Sequence, residues 1–281
     1  MRFPAARSTV HKAENGDQAL PAPSEKHSSP ASIAVALLCA VGLLTVALWV
    51  QRGHPFYGTV GLTLVLAFAL AAWLMRGVSR SGALAGAMVA FIAASRDLKL
   101  FWMLLIVFFV TFAATRAGAS RKRQLKMAEA ESGRSASQVM SNLGIAALVL
   151  AIPPFTPAYL LALAALAEVA ADTTSSEIGT ALATRTVLIT TWETVAPGAD
   201  GGISLSGTIA GVAAAAVTGG CAAAFGLVTG FGAFVVACSG VTGMLVDSLL
   251  GATLENRGYL NNDLVNLLGT AAAAALAWLM R

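Results

Sequence analysis

Runs of apolar residues long enough to cross a bilayer follow one another along most of this chain, and charged residues fall mainly in the gaps between them. A membrane helix needs about 20 such residues, and inside lipid only helices or closed barrels satisfy the backbone polar groups. Composition agrees. Of the 281 residues, 57% are hydrophobic and 11% charged, against roughly 25% charged in a soluble domain. One soluble core cannot bury that much apolar surface. A soluble enzyme is excluded, and the expected fold is an all-α, polytopic integral membrane helical bundle.

Nine runs are candidate spans: 31–50, 55–75, 82–95, 98–115, 137–153, 157–171, 205–226, 230–250 and 264–280. The run at 82–95 is short and rich in Gly and Ala, so a re-entrant segment is its alternative. Gly82/Gly86, Gly207/Gly211 and Gly226/Gly230 are pairs four residues apart that let helices approach closely. Residues 1–30 are polar, of mixed charge, and carry Pro21, Pro23 and Pro30; they read as a disordered cytoplasmic tail, with residues 31–281 as the membrane domain. No small-residue cleavage site follows the first run, and Leu38 occupies the position where a lipid-attachment motif before Cys39 needs a small residue. The first run is therefore expected to remain as a span.

Orientation follows from the distribution of Lys and Arg. With nine spans and an inner N-terminus, the inner segments hold Arg2, Arg7, Lys12, Lys26, Arg76, Arg80, Arg116, Arg121, Lys122, Arg123, Lys126, Arg134, Arg185 and Arg257, and the outer ones Arg52, Arg96, Lys99 and Arg281. That is 14 against 4. The protein is expected in the cell membrane, with its N-terminus and loops 116–136, 172–204 and 251–263 on the cytoplasmic side. The net charge of +4 is thus a topology signal; no aromatic-interleaved basic surface marks a nucleic-acid partner.

Cys39, Cys221 and Cys238 all lie in apolar runs with no CxxC pair, and read as small buried thiols. His11, His27 and His54 stand in the tail or the first short loop, which argues against a Ser-His-Asp triad or a His-ligated zinc in the body of the chain. Chemistry must run on acids, hydroxyls, amides and cations. Glu168, Asp172, Glu177, Glu193, Asp200, Asp247, Glu255 and Asp263 all fall in the last 114 residues. Glu168 and Asp247 lie inside apolar runs, where an ionisable group is costly and functional by default; the alternative is a helix-end residue reaching the interface.

Three segments carry candidate chemistry. In Asp172-Thr173-Thr174-Ser175-Ser176-Glu177, a continuing helix puts Asp172, Ser175 and Ser176 on one face, whereas a break would make Asp172 the cap of a new helix. Carboxylates beside hydroxyls suit Mg²⁺, which takes one or two carboxylates plus phosphate oxygens. The stretch Pro197-Gly198-Ala199-Asp200-Gly201-Gly202-Ile203-Ser204 is either a phosphate cradle built from glycine amides and a helix N-terminus or a turn followed by an N-cap. It is not a P-loop. The basic segment Arg116, Arg121, Lys122, Arg123, Lys126 and Arg134 offers phosphate clamps, or simply anchors the inner side. Asn142, one to two turns into a span, needs a polar partner, as does Asn266 in the last span.

These segments together resemble the integral-membrane family known as domain of unknown function 92, which contains transmembrane protein 19 and the phytyl-phosphate kinase of plants and cyanobacteria. The resemblance rests on Thr115-Arg116-Ala117-Gly118-Ala119 with Arg121-Lys122-Arg123, and on Gly133-Arg134 with Gln138-Val139 and Asn142. It continues through Ala171-Asp172-Thr173 with Ser176-Glu177-Ile178-Gly179, and Pro197-Gly198 with Asp200-Gly201-Gly202-Ile203-Ser204. It ends with Asp247-Ser248-Leu249-Leu250-Gly251 and Asn262-Asp263. It spans about residues 80–275.

The resemblance implies phosphorylation of a prenyl monophosphate to the diphosphate, with CTP or another nucleoside triphosphate as donor and Mg²⁺ as cofactor. Asp172, Glu177 and Asp200 would hold the metal, with Asp172, Asp200 and Asp247 as the catalytic acids. Arg116, Lys122, Arg123, Arg134 and Asn142 would contact phosphates, and Gly201, Gly202 and Ser204 would donate to them. The expected partners are a prenyl phosphate lipid, a nucleoside triphosphate and the bilayer. Two alternatives stand beside this: a cytidylyltransferase that makes a CDP-lipid, and a transporter built on Glu168 and Asp247.

Overall fold

The computed structural model describes residues 55–125, 133–152 and 157–281. The expected tail 1–30, the first run 31–50, Lys126 and the turn at 153–156 lie outside the described residues. Nine α-helices follow: α1 Pro55–Leu74, α2 Arg80–Arg96, α3 Leu98–Arg116, α4 Ala119–Gln124, α5 Ala136–Ala151, α6 Ala158–Leu182, α7 Leu205–Ala224, α8 Gly230–Leu250 and α9 Asn262–Met280. A one-turn π-helix, Gly251–Glu255, continues α8.

Local sequence sets the helix limits. Ser79, Ser204, Thr229 and Asn261 each accept a backbone N–H three residues on, from Gly82, Gly207, Gly232 and Leu264 at 3.0–3.1 Å, the N-cap arrangement, worth about 1 kcal/mol each. Asp97 ends α2 with extended backbone and caps α3 by accepting from the Lys99 N–H at 2.9 Å. Those two helices therefore abut with one residue between them.

The core is α6. Every residue from Leu161 to Ala171 is buried, and α3, α5, α7, α8 and α9 all pack on it. Its alanines permit close approach: a Cβ on Gly240 of α8 would stand 2.7 Å from the Ala167 Cβ, and one on Gly211 of α7 would stand 2.8 Å from the Ala171 carbonyl. Small residues drive such contacts where lipid removes the hydrophobic incentive. Helix α2 sits among α1, α3 and α5 on the other side of the molecule. Leu66, Leu70, Leu84, Ile209, Phe234 and Leu268 point outward, an apolar exterior that fits a bilayer.

Four helical stretches are long and apolar enough to cross a membrane among the described residues: Leu98–Arg116, Leu205–Ala224, Gly230–Glu255 and Asn262–Met280; Val60–Leu74 and Ala136–Ala151 are shorter apolar helices. Of the nine expected spans, four are clear candidates among the described residues. The run at 82–95 is a helix of 17 residues bounded by Arg80 and Arg96. The run at 157–171 belongs to α6, which carries three acids and is enclosed by its neighbours instead of by lipid.

The fold also departs from the all-α expectation. Strands β1 Thr186–Leu188, β2 Thr194–Val195 and β3 Gly202–Ile203 form a small antiparallel sheet in the order β2-β1-β3. Strands of two or three residues are too short for alternation to show in a sequence.

Candidate functional site: a cation-rimmed cavity beside buried acids

Two backbone clasps build the rim of a cavity. The first joins the α1–α2 turn to the start of α5. Ser79 N–H donates to the Arg134 carbonyl at 2.9 Å, and Arg134 N–H donates to Gly77 at 3.2 Å. Gly133 makes this possible with φ +75°, where a Cβ would lie 2.6 Å from the Val78 nitrogen, and Gly82 lies directly under the Arg134 carbonyl. A capping box then starts α5. Ser135 Oγ accepts from Gln138 N–H at 3.3 Å, and Gln138 Oε1 accepts from Ser135 N–H at 2.8 Å. The Arg134 backbone is thus held on both sides, and its guanidinium is within electrostatic reach of Asp172.

The second clasp joins the α3–α4 turn to the end of α6. Gly118 turns with φ +61°, and a Cβ there would fall 2.5 Å from that of Ala181. Arg121 donates to the Ala181 and Ala183 carbonyls at 3.1 and 2.8 Å, capping α6. Lys122, 2% exposed, donates to the Ala114 and Thr115 carbonyls at 3.3 and 2.5 Å and to Glu177 Oε2 at 2.7 Å. An ammonium has three protons, and all three are taken. Lys122 ties α3 to α6 and has no donor left for a phosphate. Arg116 donates to the Met75 carbonyl at 2.8 Å with its guanidinium 4.6 Å from the Phe112 ring centroid.

Between α1, α2, α3 and α5 lies a cavity of about 370 Å³. Its mouth is lined by Arg76, Arg116, Arg123 and Arg134 with Lys122 beneath, its flank by Asn142 and Thr111, and its far end by Phe68, Ala90, Leu104 and Leu143. Asn142 donates to the Gln138 carbonyl of its own helix at 2.8 Å. Arg76 is the residue that sequence reasoning missed, having been read only as a topology charge. It takes φ +57°, where a side chain costs about 1–2 kcal/mol. Such strain persists where function holds it, and the ordinary occupant of this helix-terminating position is glycine.

A second cluster lies deeper. Glu168, 1% exposed, shares a niche between α6, α8 and α9 with Asp247. A Cβ on Gly269 would lie 2.6 Å from Glu168 Oε1 and 3.4 Å from Asp247 Oδ2, so glycine opens the niche. Among the described residues neither of those two oxygens has a hydrogen-bond partner. Asp172 is within electrostatic reach of Glu168 and Asp247 in the niche and of Arg134 on the cavity rim. Glu168 is not the interfacial residue that its alternative reading describes.

The glycine-rich loop is held by its own bonds. Ile189 N–H donates to the Gly201 carbonyl at 3.0 Å, and Gly202 N–H to Ala199 at 2.8 Å. Gly201 presses on Ala252, Asn256 donates to the Asp200 carbonyl at 3.2 Å, and Ser204 Oγ caps α7. The loop is a turn followed by an N-cap, and it brings Asp200 within electrostatic reach of Glu255. Helix α6 runs unbroken through Asp172 to Leu182, so Asp172 is not a cap. Glu177, whose carboxylate meets Lys122, stands apart from the acid niche. Among the described residues no three of His, Cys, Asp or Glu converge on one metal position.

An integral membrane helical protein with an apolar cavity under a ring of cations is what the fold and this site define. The chain belongs to the family described as integral membrane protein DUF92, which matches residues 63–274. An uncharacterised membrane protein of Methanocaldococcus jannaschii is 32% identical over 79% of this chain and 93% of its own length. An uncharacterised membrane protein of Synechocystis is 34% identical over 62% of this chain and 71% of its own. The chloroplastic protein VTE6 of Arabidopsis thaliana is 28% identical over 85% of this chain and 77% of its own. No solved structure matches.

Proposed function

We propose that this protein is a membrane-embedded kinase for a prenyl (phytyl-like) monophosphate, transferring the terminal phosphoryl group of CTP or another nucleoside triphosphate to give the prenyl diphosphate. The observation that carries this reading is the cavity: an apolar interior closed by four arginines at one end complements an apolar tail with an anionic head. The sequence resemblance to a family that contains phytyl-phosphate kinase supports the same substrate. By the 14-to-4 count of cations, the mouth opens on the cytoplasmic side of a cell membrane crossed about nine times.

A phosphate monoester is already an anion at neutral pH, its second pKa being about 6, so it attacks without a general base. Its oxygen forms a bond to the terminal phosphorus of the nucleotide as the bond to the bridging oxygen breaks, and the nucleoside diphosphate leaves. Catalysis then consists of positioning and charge neutralisation. Arg134 and Arg76 bind the lipid phosphate, with Arg116 and Arg123 neutralising the approaching triphosphate. Lys122 and Glu177 hold the rim in place, and Asn142 borders the head group.

Mg²⁺ supplies neutralisation of the transferring phosphates. The free carboxylate oxygen of Asp247 fits a metal that keeps one or two carboxylates and takes its other ligands from phosphate and water. Asp172 and Asp247 would hold it, with Asp200 bordering the approach.

The test uses purified full chain in detergent with Mg²⁺, radiolabelled phytyl or geranylgeranyl monophosphate, and CTP or ATP. Prenyl diphosphate and nucleoside diphosphate are expected. A CDP-lipid with pyrophosphate would reassign the protein as a cytidylyltransferase, and no conversion from folded protein would overturn the kinase.

A further inference from the structure

The two glycines of α2, one turn apart, do different things. A Cβ on Gly82 would run into the Arg134 carbonyl, so close approach explains that glycine. Gly86 has no such neighbour: a Cβ there meets nothing within 4 Å. Glycine inside a helix is less favourable than alanine, and at Gly86 no helix contact compensates. What Gly86 borders is the cavity, whose wall here is made by small residues of α2: Ala83, Gly86, Ala87 and Ala90. Opposite them, α3 contributes lining residues from Leu104 to Arg116. At 1.5 Å per residue this is a depth of about 18 Å. Phe68, edge-on to Phe101 and Phe108 at 6.0 and 5.1 Å, stands at the far end.

We infer that the open wall at Gly86 sets the length of tail that the cavity accepts. This rests on the reading of the cavity as a prenyl-phosphate site and deepens it. A prenyl unit adds four chain bonds of about 1.5 Å and extends about 5 Å, so a head group held by Arg76 and Arg134 leaves room for three to four units before Phe68, Ala90 and Leu104. A side chain projecting from position 86 crosses this path partway down, where it excludes the distal units and leaves the head group untouched.

The experiment compares geranyl, farnesyl and geranylgeranyl monophosphates, of two, three and four units, with wild-type protein and Gly86→Leu in detergent. Binding is read by thermal stabilisation and by native mass spectrometry, and turnover is measured separately. The wild type is expected to favour the three- and four-unit tails. Gly86→Leu shifts the ratio of four-unit to two-unit binding by at least about tenfold, since it puts four carbons into the path and each buried carbon is worth about threefold. If Gly86→Leu fails to fold, Gly86→Ala is read instead. It keeps the fold, because its Cβ meets open space, and shifts the ratio in the same direction by about threefold, the worth of roughly one methylene.

An unchanged ratio in a folded variant overturns the inference, as does wild-type binding that ignores tail length. Length-dependent binding that shifts in the variant, with no turnover of any substrate, upholds the ruler and refutes the kinase. Turnover with a ratio that does not shift does the reverse.

Discussion

Replacing Lys122 with methionine separates a structural tie from a phosphate ligand. The ammonium is 2% exposed and gives its three protons to Ala114 O, Thr115 O and Glu177 Oε2. Lys122→Met leaves the Glu177 carboxylate, 16% exposed, without its cation, and takes the ammonium from the Thr115 carbonyl and from the Ala114 carbonyl, which keeps the Ala117 N–H at 3.1 Å. Removing one partner of a buried pair costs about 3–5 kcal/mol, and because Glu177 retains some solvent the lower end applies, about 3 kcal/mol. That is a large part of the 5–15 kcal/mol that holds a typical fold. Unfolding by SDS titration in mixed micelles, followed by tryptophan fluorescence, reads the loss. The double variant Lys122→Met/Glu177→Leu removes both charges together and should recover at least about 2 kcal/mol of it, since a well-packed apolar pair is often neutral relative to a buried ion pair. The reasoning fails if Lys122→Met unfolds like wild type yet loses affinity for inorganic phosphate or prenyl phosphate. Lys122 would then serve a ligand, and its bonds to α3 and α6 would carry no weight.

Arg76→Gly relieves a left-handed side-chain position and should raise the unfolding midpoint, by about 1 kcal/mol in stability. It removes a rim cation at the same time, so the KM for prenyl phosphate should rise about tenfold or more; a lowered midpoint would show that the position is not strained. Arg134→Ala keeps the backbone clasp, and stability should stay within about 0.5 kcal/mol while prenyl-phosphate affinity falls about tenfold to a hundredfold, the worth of a charged hydrogen bond. Unaltered affinity in isothermal titration would remove Arg134 from the site. Gly118→Ala forces a Cβ onto Ala181 and should cost about 1–3 kcal/mol in the same SDS titration; wild-type behaviour would mean that the α3–α4 turn and α6 are less closely packed than the geometry requires. Asp172→Asn and Asp247→Asn should abolish turnover without changing expression or the unfolding midpoint, and full activity in both would refute the assignment of acids to the metal.

Much of the helical architecture was legible in local sequence, because caps and apolar runs act over a few residues. The N-cap weighed after the glycine-rich turn is found at Ser204, and the runs at 98–115, 205–226 and 230–250 became helices close to their expected limits. The run at 157–171 was ended just before Asp172 because hydropathy measures lipid exposure, whereas α6 is sheathed by other helices and continues for another eleven residues to Leu182. The small sheet was invisible because its strands are shorter than any period they might display.

Sequence alone determined that this chain enters a membrane and which charged residues are scarce there, Arg116, Arg134, Asp172 and Asp247 among them. Only the tertiary structure decided what each lies beside. Lys122 and Arg134 look alike as basic residues of one segment, yet the first spends every donor on two helix ends and the second faces a cavity and an acid. Gly82 and Gly86 share one spacing motif, yet one receives the Arg134 carbonyl from the turn before α5 and the other faces open space. The physical reason is common to both pairs. A residue's type fixes what it is able to bond or exclude, while its partner comes from a helix tens of residues away, and only packing brings that partner within reach.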